Sequence, residues 1–165
     1  MITIVVMCYR NERTIVAAIA SVTSQVAPEA YEVVVVTSGG DRSAQLVRAA
    51  FDRIEVAEVV ESPVRLLPGG ARNAGTTAAS GAIVAFLAAD CLAEPGWVAA
   101  RLAAHRGGHP VVAGAMTAAV PSSPSGWASH YTLFCHRLPG RDAGPVAHAD
   151  PAAHSLSFER SVLDQ

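Results

Sequence analysis

Short apolar runs rich in β-branched residues alternate along the chain with longer segments of helical period. Three continuous runs predict buried strands: Ile2 to Met7, Glu32 to Val36 and Ala82 to Leu87. The more alternating Ile54 to Val60 predicts a further strand, suited to a sheet edge. Helices are predicted at Glu12 to Gln25, Ser43 to Arg53 and Ala71 to Ser80. This alternation predicts an α/β fold with a mostly parallel central sheet and helices on both faces.

The pattern becomes less regular in the C-terminal third. A helix ending at His105 and a strand at Val111 to Met116 are still predicted. The segment Pro121 to Gly126 is rich in Pro, Ser and Gly, and two amphipathic stretches follow at Trp127 to Arg137 and Phe158 to Leu163. Such interrupted amphipathic segments indicate a lid or an acceptor-binding region. For Trp97, Trp127, Tyr131 and Phe134 we expect core positions, with stacking on a sugar ring as the alternative.

Composition narrows the class of protein. Apolar residues make up 51% of the chain and charged residues 16%, which is typical of a soluble globular domain. A net charge of -2 with scattered charges disfavours binding to polymeric nucleic acid. No apolar run reaches the length of about 18 residues that spans a membrane, and no basic leader precedes the first strand. We expect a cytoplasmic protein, with peripheral association at the inner face of the membrane left open.

Polar residues follow the predicted strands at their carboxyl ends, where ligands bind in open α/β sheets. The loops concerned are Cys8 to Glu12, Thr37 to Asp41 and Ala88 to Cys91. In the first loop, Tyr9, Asn11 and Glu12 could stack on a nucleobase and hydrogen-bond to it. The alternative is structural: Asn11 caps the next helix and Tyr9 packs on the sheet edge.

The start of the third predicted helix could bind an anion. Gly69 and Gly70 precede Arg72 and Asn73, so free backbone N–H groups and a guanidinium meet at one point. A diphosphate or a base could bind there. Alternatively, the glycines only form the turn and Arg72 faces water.

Four stretches in this order and spacing resemble the N-terminal part of the family 2 glycosyltransferases. They are Ile4 to Glu12, Glu32 to Gly40, Gly70 to Gly75 and Ala85 to Cys91. The resemblance implies a GT-A (Rossmann-like) three-layer fold and an inverting transfer from a UDP- or GDP-sugar. It divides a single domain into a nucleotide-sugar-binding part, 1–116, and an incomplete acceptor part, 117–165. By resemblance, the donor-binding residues are Tyr9, Asn11, Glu12, Thr37, Ser38, Gly39, Arg72, Asn73 and Asp90.

Asp90 lies where the family carries an Asp-x-Asp signature, which implies that it binds a divalent metal, Mg²⁺ or Mn²⁺. Two positions depart from the family pattern: Ala88 replaces the first Asp of the signature, and Thr37 follows the second strand where an Asp is usual. Since affinity for such metals rises with ligand charge, we expect weak or metal-independent donor binding. Without the resemblance, Asp90 is equally a turn-forming residue.

An inverting transfer also needs a catalytic base. The family places it beyond the stretch that ends at Leu163, and Asp150 is the candidate that this sequence offers, although Asp150-Pro151 is equally a turn former. The rival interpretation is an inactive glycosyltransferase-like protein that binds nucleotide sugars or serves in assembly. The acceptor, whether glycan, lipid or small molecule, is open, and so is a homo-oligomer or a separate acceptor-domain partner.

Overall fold

The computed structural model describes residues 1–118, 123–134, 138–140, 144 and 155–163. Its strands are β1 (Ile2–Tyr9), β2 (Tyr31–Ser38), β3 (Glu58–Ser62), β4 (Ile83–Ala88), β5 (Val111–Ala113) and β6 (Leu156–Glu159). Its helices are α1 (Ile15–Thr23), α2 (Ser43–Ala50), α3 (Pro68–Ala78), α4 (Trp97–Arg106), α5 (Pro124–Phe134) and α6 (Arg160–Leu163). None of the helices in these ranges is both long and apolar enough to cross a bilayer.

Within the described residues the strands form one sheet in the order β3-β2-β1-β4-β6-β5. Strands β3, β2, β1 and β4 are parallel, and β6 runs antiparallel between β4 and β5. The predicted α/β class, the mostly parallel sheet and the edge position of β3 are therefore confirmed. The register pairs Tyr9 with Ser38 and Met7 with Ala88, so β1, β2 and β4 end side by side.

Helices cover both faces of the sheet because alternate strand side chains point to opposite sides. On one face, Ile4, Val6 and Val35 pack with α1, α2 and α4. On the other, Val5 and Val36 pack with α3 and α6. The result is the three-layer arrangement expected for GT-A enzymes, with strand ends open at one edge.

Gly75 lets α3 lie close to the sheet. A Cβ at this position would lie 2.2 Å from Val5 Cγ1 and 3.2 Å from Val36 Cγ2. Only hydrogen fits in that space, since heavy atoms in contact stay well beyond 3 Å apart. This contact fixes the height of α3 above β1 and β2, and with it the position of Arg72 one turn earlier.

Helix α1 begins at Ile15, later than the predicted Glu12. The backbone carbonyl of Asn11 accepts hydrogen bonds from the N–H groups of both Thr14 and Ile15, so residues 12–14 form a turn. Asn11 does not cap the helix through its side chain: its Oδ1 accepts from the N–H of Tyr9 at 3.4 Å, and Thr14 is the N-cap. The predicted capping role of Asn11 was therefore wrong. The turn at residues 12–14 adds to the length of the loop between β1 and α1.

Other strands and helices also begin or end at residues that differ from the predicted ones. Asp52 Oδ1 accepts hydrogen bonds from the N–H groups of Ile54 and Glu55, which turns the chain and delays β3 to Glu58. Strand β5 ends at Ala113 rather than at residue 116. Strand β6 was not predicted, because its four residues form a strand through pairing with β4 and β5 rather than through a local pattern. Helix α5 starts before the predicted Trp127, and residues 135–137 of that prediction lie outside the described residues.

Candidate functional site

A cleft of about 570 Å³ opens at the ends of β1 and β2. It is lined by Arg10, Asn11, Glu12, Arg13, Thr14 and Asp41. Asn11 and Glu12 were predicted to bind the donor, whereas Arg10, Arg13 and Asp41 were not singled out. The cleft lies where open α/β sheets bind their ligands, beyond the carboxyl ends of parallel strands.

Two carboxylates of the cleft are tied to the start of α2. Glu12 Oε1 accepts the backbone N–H of Arg42 at 3.0 Å, and its Oε2 lies 3.4 Å from the Arg42 guanidinium. Asp41 accepts from the N–H of Ser43 at 3.0 Å and from its hydroxyl at 2.9 Å. Both carboxylates satisfy N–H groups that have no intrahelical partner, and their charge favours the positive end of the helix dipole. Glu12 thus joins the loop after β1 to the loop after β2.

Tyr9 sits where three loops meet. Its ring edge packs on Gly39, where a Cβ would come within 2.7 Å of Tyr9 Cε2 and where φ is +91°. The Cζ of Arg65 lies 4.7 Å from the ring centroid, and that of Arg10 lies 5.4 Å away. Sequence reasoning missed Arg65, because nothing in the local pattern shows that the loop after β3 reaches the end of β1.

Two predicted binding residues at the end of β2 are closed off from solvent. Thr37 is 2% exposed and Ser38 is 3% exposed. The Thr37 hydroxyl is buried without a hydrogen-bond partner, and Ser38 Oγ donates to the carbonyl of Cys8 at 3.5 Å. Only Gly39, beyond them, approaches the surface, and its N–H donates to the carbonyls of Ser62 and Val64. The end of β2 is therefore tied to the loop after β3 through its backbone.

Cys8 lies beside this pair. Burial raises the pKa of the Cys8 thiol, and the carboxylates of Asp41 and Asp90 act in the same direction, against hydrogen bonding to Ser43. A thiol with a raised pKa stays protonated at neutral pH and is a poor nucleophile. Cys8 is therefore a packing residue of the core.

Arg72 and Asn73 lie in the first turns of α3. The Arg72 Cζ lies 5.8 Å from the ring centroid of Phe86, on the α3 face of β4. Burial lowers the pKa of Arg72. Because strand side chains alternate, Ala88 shares the face of Phe86, so Arg72 and Ala88 approach the same corner of the sheet. Asn73 is exposed.

Asp90 is exposed in the turn just after β4. Its Oδ1 accepts a weak hydrogen bond from Cys91 Sγ at 3.7 Å, and burial together with Asp90 raises the pKa of Cys91 to about 11. Within the described residues no group of three or more His, Cys, Asp or Glu side chains could hold a metal ion. A single exposed carboxylate fits Mg²⁺ or Mn²⁺ only where a bound diphosphate and water supply the other oxygens.

Part of the predicted acceptor region, 117–165, lies within the described residues. Trp97 packs against the core as predicted. Trp127 and Tyr131 are 39% and 48% exposed and stack on each other with centroids 5.5 Å apart, so the core assignment was wrong for them. Helix α5 buries none of its described side chains, and the helical spacing of its aromatic residues therefore marks a surface. Asp150 lies outside the described residues, and its catalytic role stays a prediction.

Solved structures with the same architecture are glycosyltransferases of the GT-A fold. S. aureus TarS 1-349 matches with a TM-score of 0.70 at 21% identity over 99% of this chain and 48% of that chain. The Pyrobaculum calidifontis mannosyltransferase PcManGT, solved with GDP-Man and Mn²⁺, matches with a TM-score of 0.67 at 24% identity, over 99% and 45% of the two chains. The fold expected from the sequence is confirmed.

The family model described as glycosyl transferase family 2 matches residues 3–165, and the chain belongs to this family. Among curated proteins, the validoxylamine A glucosyltransferase of Streptomyces hygroscopicus subsp. limoneus is 38% identical over 101 residues. That alignment covers 59% of this chain and 22% of the relative. The aligned part of this chain thus spans about a fifth of that relative, and the chain spans about half of each of the two solved structures.

Proposed function

We propose that this chain binds a nucleotide-diphosphate sugar, with UDP or GDP as the nucleotide, and takes part in transferring the sugar to an acceptor with inversion. Family membership supports the class of reaction. Among the structural neighbours, TarS 1-349 has been solved with UDP-GlcNAc and PcManGT with GDP-Man. The observation that carries the proposal is the cleft at the ends of β1 and β2, in the place where this architecture binds ligands.

The described residues suggest a division of roles around this cleft. Asn11 and the backbone around Gly39 would meet the nucleoside, since both lie at the strand ends and offer hydrogen-bonding groups. Arg72 would supply a permanent positive charge from the α3 side. Glu12 would act indirectly, by holding the loops after β1 and β2 together through Arg42.

Asp90 is the proposed protein ligand of a divalent metal, Mg²⁺ or Mn²⁺. Its carboxylate is exposed at the end of β4, so it can reach an ion that the donor's phosphates also bind. When bound, such an ion would neutralise negative charge that develops on the departing diphosphate. Asp90 alone is a weak site, and metal binding should therefore depend on the nucleotide being present.

Ligand binding to the whole chain tests the proposal. We expect the melting temperature to rise with UDP, GDP or their sugars, and not with ATP at the same concentration, because a ligand that binds only the folded state stabilises it. Calorimetric titration with and without Mn²⁺ gives the affinities. If none of these nucleotides binds at millimolar concentration, the proposed function is wrong.

A turnover assay distinguishes an active transferase from a protein that only binds the donor. With the preferred donor, slow hydrolysis or transfer to added acceptors, followed as nucleotide release, would support a transferase. Saturable donor binding without any nucleotide release would instead favour a glycosyltransferase-like binding protein. The buried, unpaired hydroxyl of Thr37, where an acidic residue is usual, agrees with that second role.

A further inference from the structure

We infer that Ser21 and Gln25 are positioning residues for Asp90, and that they act through the backbone of loop 91–96, which leads from Asp90 to α4. This inference rests on the proposed function, in which Asp90 is the protein ligand of a divalent metal. Ser21 belongs to α1 and Gln25 follows the C-cap of that helix, whereas the cleft is lined by other residues. Their effect on the site is therefore indirect.

The turn that carries Asp90 is fixed on the side of β1. The N–H of Ala89 donates to the carbonyl of Met7 at 2.9 Å, and the N–H of Cys91 donates to the carbonyl of Ala88 at 3.0 Å. The first bond extends the contact between β4 and β1, and the second closes the turn. The Asp90 carboxylate is exposed, and Cys91 Sγ is its weak donor at 3.7 Å among the described residues. Its position is therefore set mainly by the backbone on either side.

Ser21 fixes the backbone on the other side of the turn. Its Oγ donates to the carbonyl of Ala18, within α1, at 2.7 Å and accepts the N–H of Ala93 at 2.9 Å. The hydroxyl hydrogen is thus used inside the helix, while the oxygen remains free to accept from the loop. Asp90 is consequently held between two anchors, Met7 before it and Ser21 after it.

Gln25 holds the rest of the loop through both ends of its amide. Its Nε2 donates to the carbonyl of Glu94 at 3.0 Å and to that of Ser21 at 2.9 Å. Its Oε1 accepts a long hydrogen bond, 3.5 Å, from the N–H of Val98 at the start of α4. This N–H has no partner inside the helix, and Gly96, the N-cap, has no side chain to offer it. Gln25 therefore joins the end of α1 to the loop and to the helix that follows.

The loop stands off from α1 where Gln25 reaches it. A cavity of about 320 Å³ lies there, lined by Pro95 and Gly96 on one side and by Gln25 and Val26 on the other. Because packing does not fill this space, the hydrogen bonds set the distance between the loop and the helix. A metal ligand must place its oxygen about 2 Å from the ion, so a small shift of the loop lowers metal affinity. Loss of either side chain should therefore affect the metal before the fold.

Calorimetric titration of the whole chain with UDP and GDP, in Mn²⁺ and in EDTA, tests this role. The ratio of the two affinities, for the nucleotide that binds the wild type more tightly, is the Mn²⁺-dependent gain. We expect Gln25→Met and Ser21→Ala to lower this gain by about tenfold, or to abolish a smaller one, as for groups that orient metal ligands. The affinity in EDTA should stay unchanged. Ser21→Thr keeps the hydroxyl and should keep most of the gain.

Thr23→Ala is the matched control for Ser21→Ala. The Thr23 hydroxyl also donates to a carbonyl of its own helix, that of Ala20 at 3.5 Å, and makes no hydrogen bond to loop 91–96. Gln45→Met, at an exposed glutamine of α2, is the control for Gln25→Met. Both controls should keep the wild-type gain, and thermal melting checks that every variant folds.

If either Gln25→Met or Ser21→Ala keeps the wild-type gain, that residue does not position Asp90. Equal weakening in Mn²⁺ and in EDTA would also overturn the positioning role, because it would show a general disturbance of the nucleotide site. Nucleotide binding by the wild type without any Mn²⁺-dependent gain would overturn it as well. All three results leave nucleotide-sugar binding standing, whereas a wild-type chain that binds none of the nucleotides or their sugars, with or without Mn²⁺, would overturn both proposals.

Discussion

The guanidinium of Arg101 donates hydrogen bonds to both the carbonyl oxygen of Ser155, at 3.1 Å, and its hydroxyl, at 2.6 Å. Arg101 is 4% exposed, and its Cζ lies 3.9 Å from the centroid of the Trp97 ring. Burial lowers the pKa of Arg101 to about 10, so it remains charged at neutral pH. The carbonyl of Ser155 also accepts the N–H of Gly114. Ser155 thus joins α4 to the chain just beyond β5.

Ser155→Ala should lower the free energy of unfolding by about 1–3 kcal/mol, because a buried cation loses its shortest acceptor. Urea denaturation followed by circular dichroism measures the change. Ser24→Ala is the control, since Ser24 is exposed at the end of α1, and it should change stability by less than about 0.5 kcal/mol. Equal effects of the two substitutions would show that the Arg101 contact adds nothing.

His105 should make stability depend on pH. Burial lowers its pKa below the usual value of about 6.5, and the charges of Arg101 and His109 act in the same direction. The charge of Glu159 and a backbone hydrogen bond with His109 oppose this shift. A histidine with a lowered folded-state pKa stabilises the fold in its neutral form. That contribution is complete above the unfolded pKa and is lost as pH falls through the folded one. Its Nε2 lies 2.9 Å from Ser157 Oγ.

We therefore expect the wild type to lose stability between about pH 7.5 and about pH 5, and His105→Gln to lose less over the same range. Urea denaturation at several pH values gives the slopes. An unchanged slope in His105→Gln would contradict the prediction.

Two buried strand threonines form a natural pair for comparison. Thr3 Oγ1 donates to Glu32 Oε1 at 2.5 Å and accepts the N–H of Gly81 at 2.8 Å, whereas the Thr37 hydroxyl has no partner. Thr3→Val should cost about 1–3 kcal/mol, while Thr37→Val should be neutral or stabilising by about 1 kcal/mol, because it removes an unsatisfied buried polar group. Thermal and urea denaturation compare them. A large loss in Thr37→Val would mean that its hydroxyl has a partner in solution.

Close packing of α3 on the sheet makes two glycines of one helix respond differently. Gly75→Ala should destabilise the protein by about 1–3 kcal/mol, because the new methyl group would overlap Val5. At Gly70 the nearest neighbouring atom to a Cβ is 3.8 Å away, so Gly70→Ala should be neutral or raise stability by up to about 1 kcal/mol. Denaturation midpoints of the two variants measure these changes in stability. Similar losses of stability in Gly75→Ala and Gly70→Ala would argue against the close packing of α3 on the sheet.

Asp90→Ala should abolish any Mn²⁺-dependent gain in UDP or GDP affinity and leave the fold intact, since the side chain is exposed. Ala88→Asp should increase that gain, because a second carboxylate raises the charge of the site. Calorimetry with Mn²⁺ and with EDTA measures both. Glu58→Ala provides a surface-carboxylate control at the start of β3. Metal-supported affinity that survives in Asp90→Ala would remove Asp90 from the site.

The parallel part of the fold could be predicted from the sequence because its information is local. Continuous β-branched runs at Ile2 to Met7 and Glu32 to Val36 can be buried on both faces, and this composition alone indicates a central parallel strand. Strand β6 carries no comparable signal: its four residues become a strand by pairing with β4 and β5. The start of α1 likewise depended on backbone hydrogen bonds that no residue preference reveals.

By itself, the sequence determined which strands and helices form in the first half of the chain and that their ends carry polar loops, since period and residue type act over a few neighbours. Only the tertiary structure decided that Arg65 stacks on Tyr9, that the Thr37 hydroxyl is buried and that Arg101 reaches Ser155. Each of these relationships joins residues from separate elements, and the packing of the layers sets the distance between them.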